Sequence, residues 1–199
     1  MRDETPAERG IAVAVVYERM REIAEEVSKV PEAWAVEVSG GEIHIMMSPA
    51  KRHELIVLRT ARQLNRQLDT QSPGLAAHSG AEIEDPQAGV MRRPDLLVLP
   101  EAALDEAGDY VDPKDVNVVL EVVSKSNPEN DYSGKMRDYP RIGVPFYVII
   151  DPRLGTGVVL SEIGPGDEGP TYLRREPFAF GETVQIGQWT IDTAQFPLY

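Results

Sequence analysis

The chain has 199 residues, 42% of them hydrophobic and 27% charged, which is enough for one ordinary domain with a sizeable core and excludes wholesale disorder. A net charge of −13 argues against strong non-specific binding to nucleic acid, which relies on Lys and Arg neutralising phosphates. The absence of cysteine excludes disulfides and thiolate metal sites and makes a reducing compartment the expectation. No apolar window is long enough to span a membrane, and the charged opening, Met1 to Arg9, lacks the apolar core of a signal peptide. A soluble cytoplasmic protein with no membrane association is expected.

In chain order, helical spacing of Val16, Met20, Ile23, Ala24 and Val27 predicts a first helix from about Ile11 to Val30, ended by Pro31. Residues 35–38 and 42–46 predict a hairpin turning at Ser39-Gly40-Gly41. A second helix is expected from Lys51 to about Leu68, with Leu55, Leu58, Ala61, Leu64 and Leu68 as its apolar stripe and His53 in its first turn. Leu75 to Glu84 alternates loosely, as a strand would. Residues 95–99 form a short apolar strand between Pro94 and Pro100, and residues 101–115 read as an acidic loop.

The strongest strand is Val116 to Val123, in which six of eight residues are Val or Leu. Asn127 and Pro128 then suit the N-cap and first position of a third helix, running to about Ile142 and stopped by Gly143. Residues 145–150 form another apolar strand. Shorter strands are expected near 156–162, 172–175, 183–186 and 189–191. The pattern is α/β, an α+β mixed sheet with flanking helices, in a single domain spanning 1–199.

The chemistry concentrates between Arg93 and Tyr139. In the central strand Val119, Glu121 and Val123 share one face, and Val118, Leu120 and Val122 the other. An ionised Glu121 in so apolar a strand needs a counter-charge. Asp95, at the start of a neighbouring strand, adds to the repulsion unless a cation sits between the two carboxylates, and oxygen donors suit Mg²⁺ or Mn²⁺. On the third helix Asp131, Lys135 and Tyr139 follow at i, i+4 and i+8, roughly on one face. A lysine facing such carboxylates could orient a water or stabilise charge on a phosphate.

Each residue also has a structural alternative. Asp95 could cap a turn after Pro94, Glu121 could pair with Lys135, and Lys135 could be a solvated helix lysine. Lys125, closer in sequence to Glu121, is a rival for the lysine role. Asp131 could serve the helix dipole or support Lys135. His53 could be structural, or could order the site or contact phosphate. Basic residues gather at Arg59, Arg62, Arg66, Arg92 and Arg93, a possible nucleic-acid groove.

Pro94-Asp95 followed by Glu121-Val-Val resembles the PD-(D/E)XK nuclease signature, whose lysine usually lies two residues after the second acid, where this chain has Val123. The longer string is similar to the Uma-type restriction endonuclease family. It comprises Glu121-Val-Val-Ser-Lys-Ser126, Asp131, Lys135, Tyr139, Gly143-Val-Pro145 and Ile149-Ile-Asp-Pro152, with Gly41-Glu-Ile43, Met47-Ser-Pro49 and His53 upstream. The resemblance runs from about Gly41 to Pro152 and departs at Phe146 and Val148. It implies a restriction-endonuclease-like core at 33–152, preceded by an N-terminal helix at 1–30 and followed by C-terminal strands at 153–199. It also implies a Mg²⁺- or Mn²⁺-dependent endonuclease acting on DNA, with metal held by Asp95, Glu121 and the Val122 carbonyl. Lys135 would take the catalytic lysine role from the following helix, supported by His53, Asp131 and Tyr139. Cutting both strands of a duplex suits a two-fold homodimer. The competing expectation is a catalytically inactive binding or assembly protein on the same fold, favoured by Val123 and the acidic charge.

Overall fold

The computed structural model describes residues 6–125 and 128–199, so the expected cap at Asn127 lies outside the described residues. The chain order is α1 (Pro6–Val27), β1 (Ala35–Ser39), β2 (Glu42–Met46), α2 (Lys51–Gln71), β3 (Leu75–His78), β4 (Glu82–Asp85), β5 (Val90–Arg92) and β6 (Leu96–Pro100). It continues with α3 (Glu101–Asp105), β7 (Tyr110–Val111), β8 (Val118–Val122), α4 (Lys135–Arg141), β9 (Phe146–Asp151), β10 (Thr156–Gly166), β11 (Gly169–Ala179), β12 (Thr183–Ile186) and β13 (Trp189–Asp192). Among the described residues no helix is long and apolar enough to cross a membrane.

The chain forms two compact units. The first takes residues 1–48 and 82–93, the second 49–81 and 94–199. In the first, α1 accompanies the strand order β2-β1-β5-β4. The β1–β2 hairpin closes at Gly40 and Gly41, whose φ angles of 60° and 77° are the left-handed pair that a two-residue hairpin turn requires. The buried side of α1 is carried by Tyr17 and Ala24, while Val16, expected inside, is exposed. The Tyr17 hydroxyl reaches Glu84 at 2.6 Å, so an amphipathic tyrosine takes the inner position.

The second unit is built on a mixed six-stranded sheet, order β11-β10-β9-β8-β6-β3. β8 and β9 are parallel and the remaining pairs antiparallel. Parallel neighbours need a crossover, and the segment holding α4 supplies it. On one face Leu120 and Val122 join Leu96, Val98, Val148 and Ile150 in a core closed by Ile56, Val57, Leu64 and Leu68 of α2. Each such side chain, fully buried, contributes roughly 1.5–3 kcal/mol. The buried stripe of α2 is His53, Ile56, Val57, Thr60, Leu64 and Leu68; Leu64 and Leu68 of the expected stripe are in it and Ala61 packs against it, while Leu58 is exposed and Ile56 and Val57 take the inner positions of the first turns. Both stripes have helical spacing, and the one that fits the sheet carries β-branched residues and a histidine.

Two other expectations are corrected. The single strand over 75–84 is two strands, β3 and β4, which belong to different units. The acidic loop contains α3, β7 and a short 3₁₀ turn at Pro113–Asp115, with Asp112 capping the Lys114 N–H at 3.0 Å.

Candidate active site

Sheet register brings the two carboxylates together. β6 pairs with β8 so that Leu96 faces Leu120 and Leu97 faces Val119, and one further step sets Asp95 opposite Glu121. The Asp95 N–H points at Glu121 Oε2 at 3.4 Å, and the Val122 N–H donates to Asp95 Oδ2 at 2.7 Å. Glu121 lies on the face away from α2, with Val119, Tyr147 and Ile149, as strand alternation requires. Asp95 sits at the end of β6, where His53 of α2 can reach it.

The helix after β8 covers Glu121. It contains a wide π-helical turn at Asn130–Gly134 and continues as α4. π-turns are rare and recur at functional sites. Lys135 Nζ lies 2.8 Å from Glu121 Oε1 and 3.3 Å from Asp131 Oδ1, and the Tyr139 hydroxyl donates to Glu121 Oε1 at 2.7 Å. The Tyr139 ring packs edge-on against Tyr147 at 4.8 Å, and the Tyr147 hydroxyl donates to the Asp131 carbonyl at 2.9 Å. The tyrosines thus anchor the helix that delivers the lysine.

Burial is uneven. The side chains of Glu121 and Lys135 are 2% and 3% exposed, whereas Asp95 is 12% exposed. His53 Nε2 stands 3.0 Å from Asp95 Oδ2, and its buried Nδ1 has no hydrogen-bond partner among the described residues. Burial pushes the His53 pKa down. The hydrogen bond to Asp95, the charges of Asp95 and Glu54 and the Val122 backbone outweigh burial and leave it raised above 6.5.

Beside this cluster lies a second one. Arg153 grips Asp151 with Nε at 2.9 Å and Nη2 at 2.6 Å, and the Tyr132 hydroxyl donates to Asp151 at 3.1 Å. Burial works to raise the Asp151 pKa, but hydrogen bonds from the Arg153 side chain and backbone, the Arg153 charge and Tyr132 hold it below 3.8. Burial, and then the Asp151 charge, push Tyr132 up to about 12.

The structure therefore brings Asp95, Glu121, Lys135, Asp131, Tyr139, His53 and the Val122 backbone into one cluster. Lys125 is exposed and stays out of the cluster's ion pairs among the described residues. Of the basic residues Arg59, Arg62, Arg66, Arg92 and Arg93 read as a nucleic-acid groove, Arg92 is corrected: it is fully buried on Glu37 at 2.7 Å, while Arg93 stacks over Trp34 at 4.9 Å. Sequence reasoning missed Arg153, Tyr132 and Tyr199. The Asp151-Pro152-Arg153 spacing could have flagged Arg153, since an aspartate two residues ahead accepts from both the backbone and the guanidinium.

The donor set is compatible with a hard divalent cation. Among the described residues no three His, Cys, Asp or Glu side chains form a metal cage. Mg²⁺ rarely needs one, because it keeps several waters and binds through one or two carboxylates together with substrate phosphates. Asp95 Oδ1 accepts no hydrogen bond among the described residues, while Oδ2 is engaged twice. It is thus available as an oxygen ligand on the more open of the two carboxylates.

Comparison with known proteins agrees with the fold. The Uma2 family model, described as "Putative restriction endonuclease", matches residues 18–191. A crystal structure described as a putative nuclease belonging to DUF820, from Anabaena variabilis ATCC 29413, is similar with a TM-score of 0.62 at 17% sequence identity. The similarity covers 88% of this chain and 93% of that one, and shows the same nuclease fold. No curated protein matches the chain.

Proposed function

The chain belongs to the Uma2 family, and from that premise we propose that it is a metal-dependent endonuclease hydrolysing phosphodiester bonds of DNA. The observation that carries the reading is the meeting of Asp95, Glu121 and Lys135 across β6, β8 and α4. Asp95, Glu121 and the Val122 carbonyl would hold Mg²⁺ or Mn²⁺. When bound, such an ion neutralises phosphate charge and acidifies an attacking water.

The chain's own groups prepare that chemistry. The Lys135 ammonium and the Tyr139 hydroxyl both meet Glu121 Oε1 and fix that carboxylate in orientation. His53 and the Val122 N–H fix Asp95 through Oδ2 and leave Oδ1 without a hydrogen bond among the described residues. Asp131 bridges Lys135 from within the helix, holding the lysine between two carboxylates. A two-fold dimer would place two such sites on the two strands of a duplex.

A second reading, a non-catalytic nucleic-acid-binding protein, is favoured by one observation: Lys135 is buried and engaged by Glu121 and Asp131. The test is incubation with supercoiled plasmid and with single-stranded DNA in Mg²⁺, using Asp95→Ala and Lys135→Ala as controls. Nicking by wild type that both variants lose supports the endonuclease. Binding without nicking supports the second reading, and equal nicking by all three overturns the assignment of the site.

A further inference from the structure

The described cluster holds three carboxylates, Asp95, Glu121 and Asp131, and its lysine is consumed by two of them. A polyanionic substrate approaching it needs positive charge that remains available. Lys125 has that property. It is exposed, and among the described residues its ammonium meets no carboxylate; it rests 5.4 Å from the centre of the Tyr199 ring. A salt bridge would fix a lysine at the cost of its charge. An aromatic face attracts the ammonium through the ring quadrupole and leaves the charge open to an anion.

Tyr199 is itself a built part of the site. Its hydroxyl donates at 2.6 Å to the carbonyl of Val123, the position two residues after Glu121. The Val123 N–H is tied to the Ile150 carbonyl at 2.8 Å, so both backbone groups of this residue are held. The segment leading to Tyr199 is pinned along its length. Thr193 is fully buried, Phe196 lies in the α2-side core, Arg52 donates to the Leu198 carbonyl at 2.6 Å, and the Tyr199 N–H donates to Pro152 at 3.1 Å. Burial, followed by the charges of Asp95, Asp151 and Asp131, pushes the Tyr199 phenol up to about 12. Its bond to Val123, next to Val122 and two residues after Glu121, holds the ring at the end of β8 that carries the cluster, and the ring stations Lys125 there.

We propose that Lys125, stationed by the Tyr199 ring, makes the direct contact with a backbone phosphate of the nucleic acid at this site, while Lys135 serves inside it. The inference rests on the nuclease reading. It makes Lys125 a substrate-binding residue and Tyr199 a positioning residue.

The test is the salt dependence of binding to a fluorescent duplex oligonucleotide, with Ca²⁺ replacing Mg²⁺ to keep the probe intact. One lost phosphate contact lowers the slope of log affinity against log salt by about 0.9. Lys125→Ala and Tyr199→Ala should each show that loss, and the double variant should lose no more than either alone. Lys125→Arg and Tyr199→Phe should keep the wild-type slope, because one retains the charge and the other the ring. Thermal unfolding of each variant separates this from loss of fold, which would not lower the slope by a single contact. Wild type that binds no DNA overturns the nuclease reading and this inference together. Wild type that binds while Lys125→Ala keeps the full slope overturns this inference alone. A normal slope in Tyr199→Ala beside a reduced one in Lys125→Ala overturns the positioning role.

Discussion

Each unit of the chain buries an ion pair, and the two pairs differ in kind. Glu37 and Arg92 meet at 2.7 Å with neither side chain exposed, and Glu37 also accepts from the Arg93 N–H at 3.1 Å. There the guanidinium of Arg92 faces the carboxylate of Glu37, a contact between opposite charges. Glu121 and Lys135 are nearly as buried and as close, at 2.8 Å, yet Asp131 also touches the lysine and Asp95 stands opposite Glu121. There the carboxylates outnumber the lysine, and the outermost of them is partly open. Burial and pairing are therefore weak markers of a site on their own; surplus charge of one sign with access to solvent is the better marker.

Breaking the matched pair should have the largest effect on stability. Arg92→Leu leaves Glu37 buried without its arginine and should cost about 3–5 kcal/mol in urea unfolding. It should leave Mg²⁺-induced stabilisation unchanged. A Mg²⁺ response lost in Arg92→Leu would mean that the two pairs are not independent.

The second effect reverses that pattern. In wild type, Mg²⁺ at a hundredfold excess over its dissociation constant should add about 2.7 kcal/mol of stability. Glu121→Gln should abolish the addition and Glu37→Gln should keep it, as a Mg²⁺-dependent shift in melting temperature would record. Equal shifts in both variants would contradict the contrast.

Tyr139→Phe is a smaller change, since it removes one hydrogen bond to an ionised carboxylate and keeps the ring against Tyr147. A loss of about 1.5 kcal/mol is expected on unfolding. The smallest effect belongs to Asp151, whose pKa is lowered in the folded state. A depressed carboxylate pKa contributes stability above its unfolded value of about 3.8, and that contribution fades as pH falls through the folded value. Asp151→Asn should therefore be less stable than wild type at pH 7, with a gap that narrows under acid. A gap independent of pH would show that the Arg153 and Tyr132 contacts act without the charge.

Much of the site was legible because strand chemistry is local. Period-two alternation alone assigns Glu121 to one face and Val122 to the other, and i, i+4 spacing puts Lys135 over Asp131. Helix α2 was less legible because Leu55–Leu58 and Ile56–Val57 offer competing stripes of similar spacing, and only packing against the sheet selects between them. Arg92 was not legible as buried because an arginine in a sequence looks solvated until a distant carboxylate claims it, as Glu37 claims Arg92 across 55 positions. Tyr199 carries no local signal, for its hydroxyl finds Val123 from 76 residues away. The long β10–β11 hairpin was legible only as short strands near 156–162 and 172–175, because Gly164-Pro165-Gly166 carries no strand signal, whereas the strands continue to Gly166 and resume at Gly169.

The most direct test of the account is calorimetric titration of Mg²⁺ into wild type and Asp95→Asn. The account predicts a binding isotherm in wild type and at least a tenfold weaker one in the variant, since even supporting residues of metal sites are worth roughly 10–100-fold in affinity. No heat of binding in wild type, or equal affinity in both proteins, would contradict it.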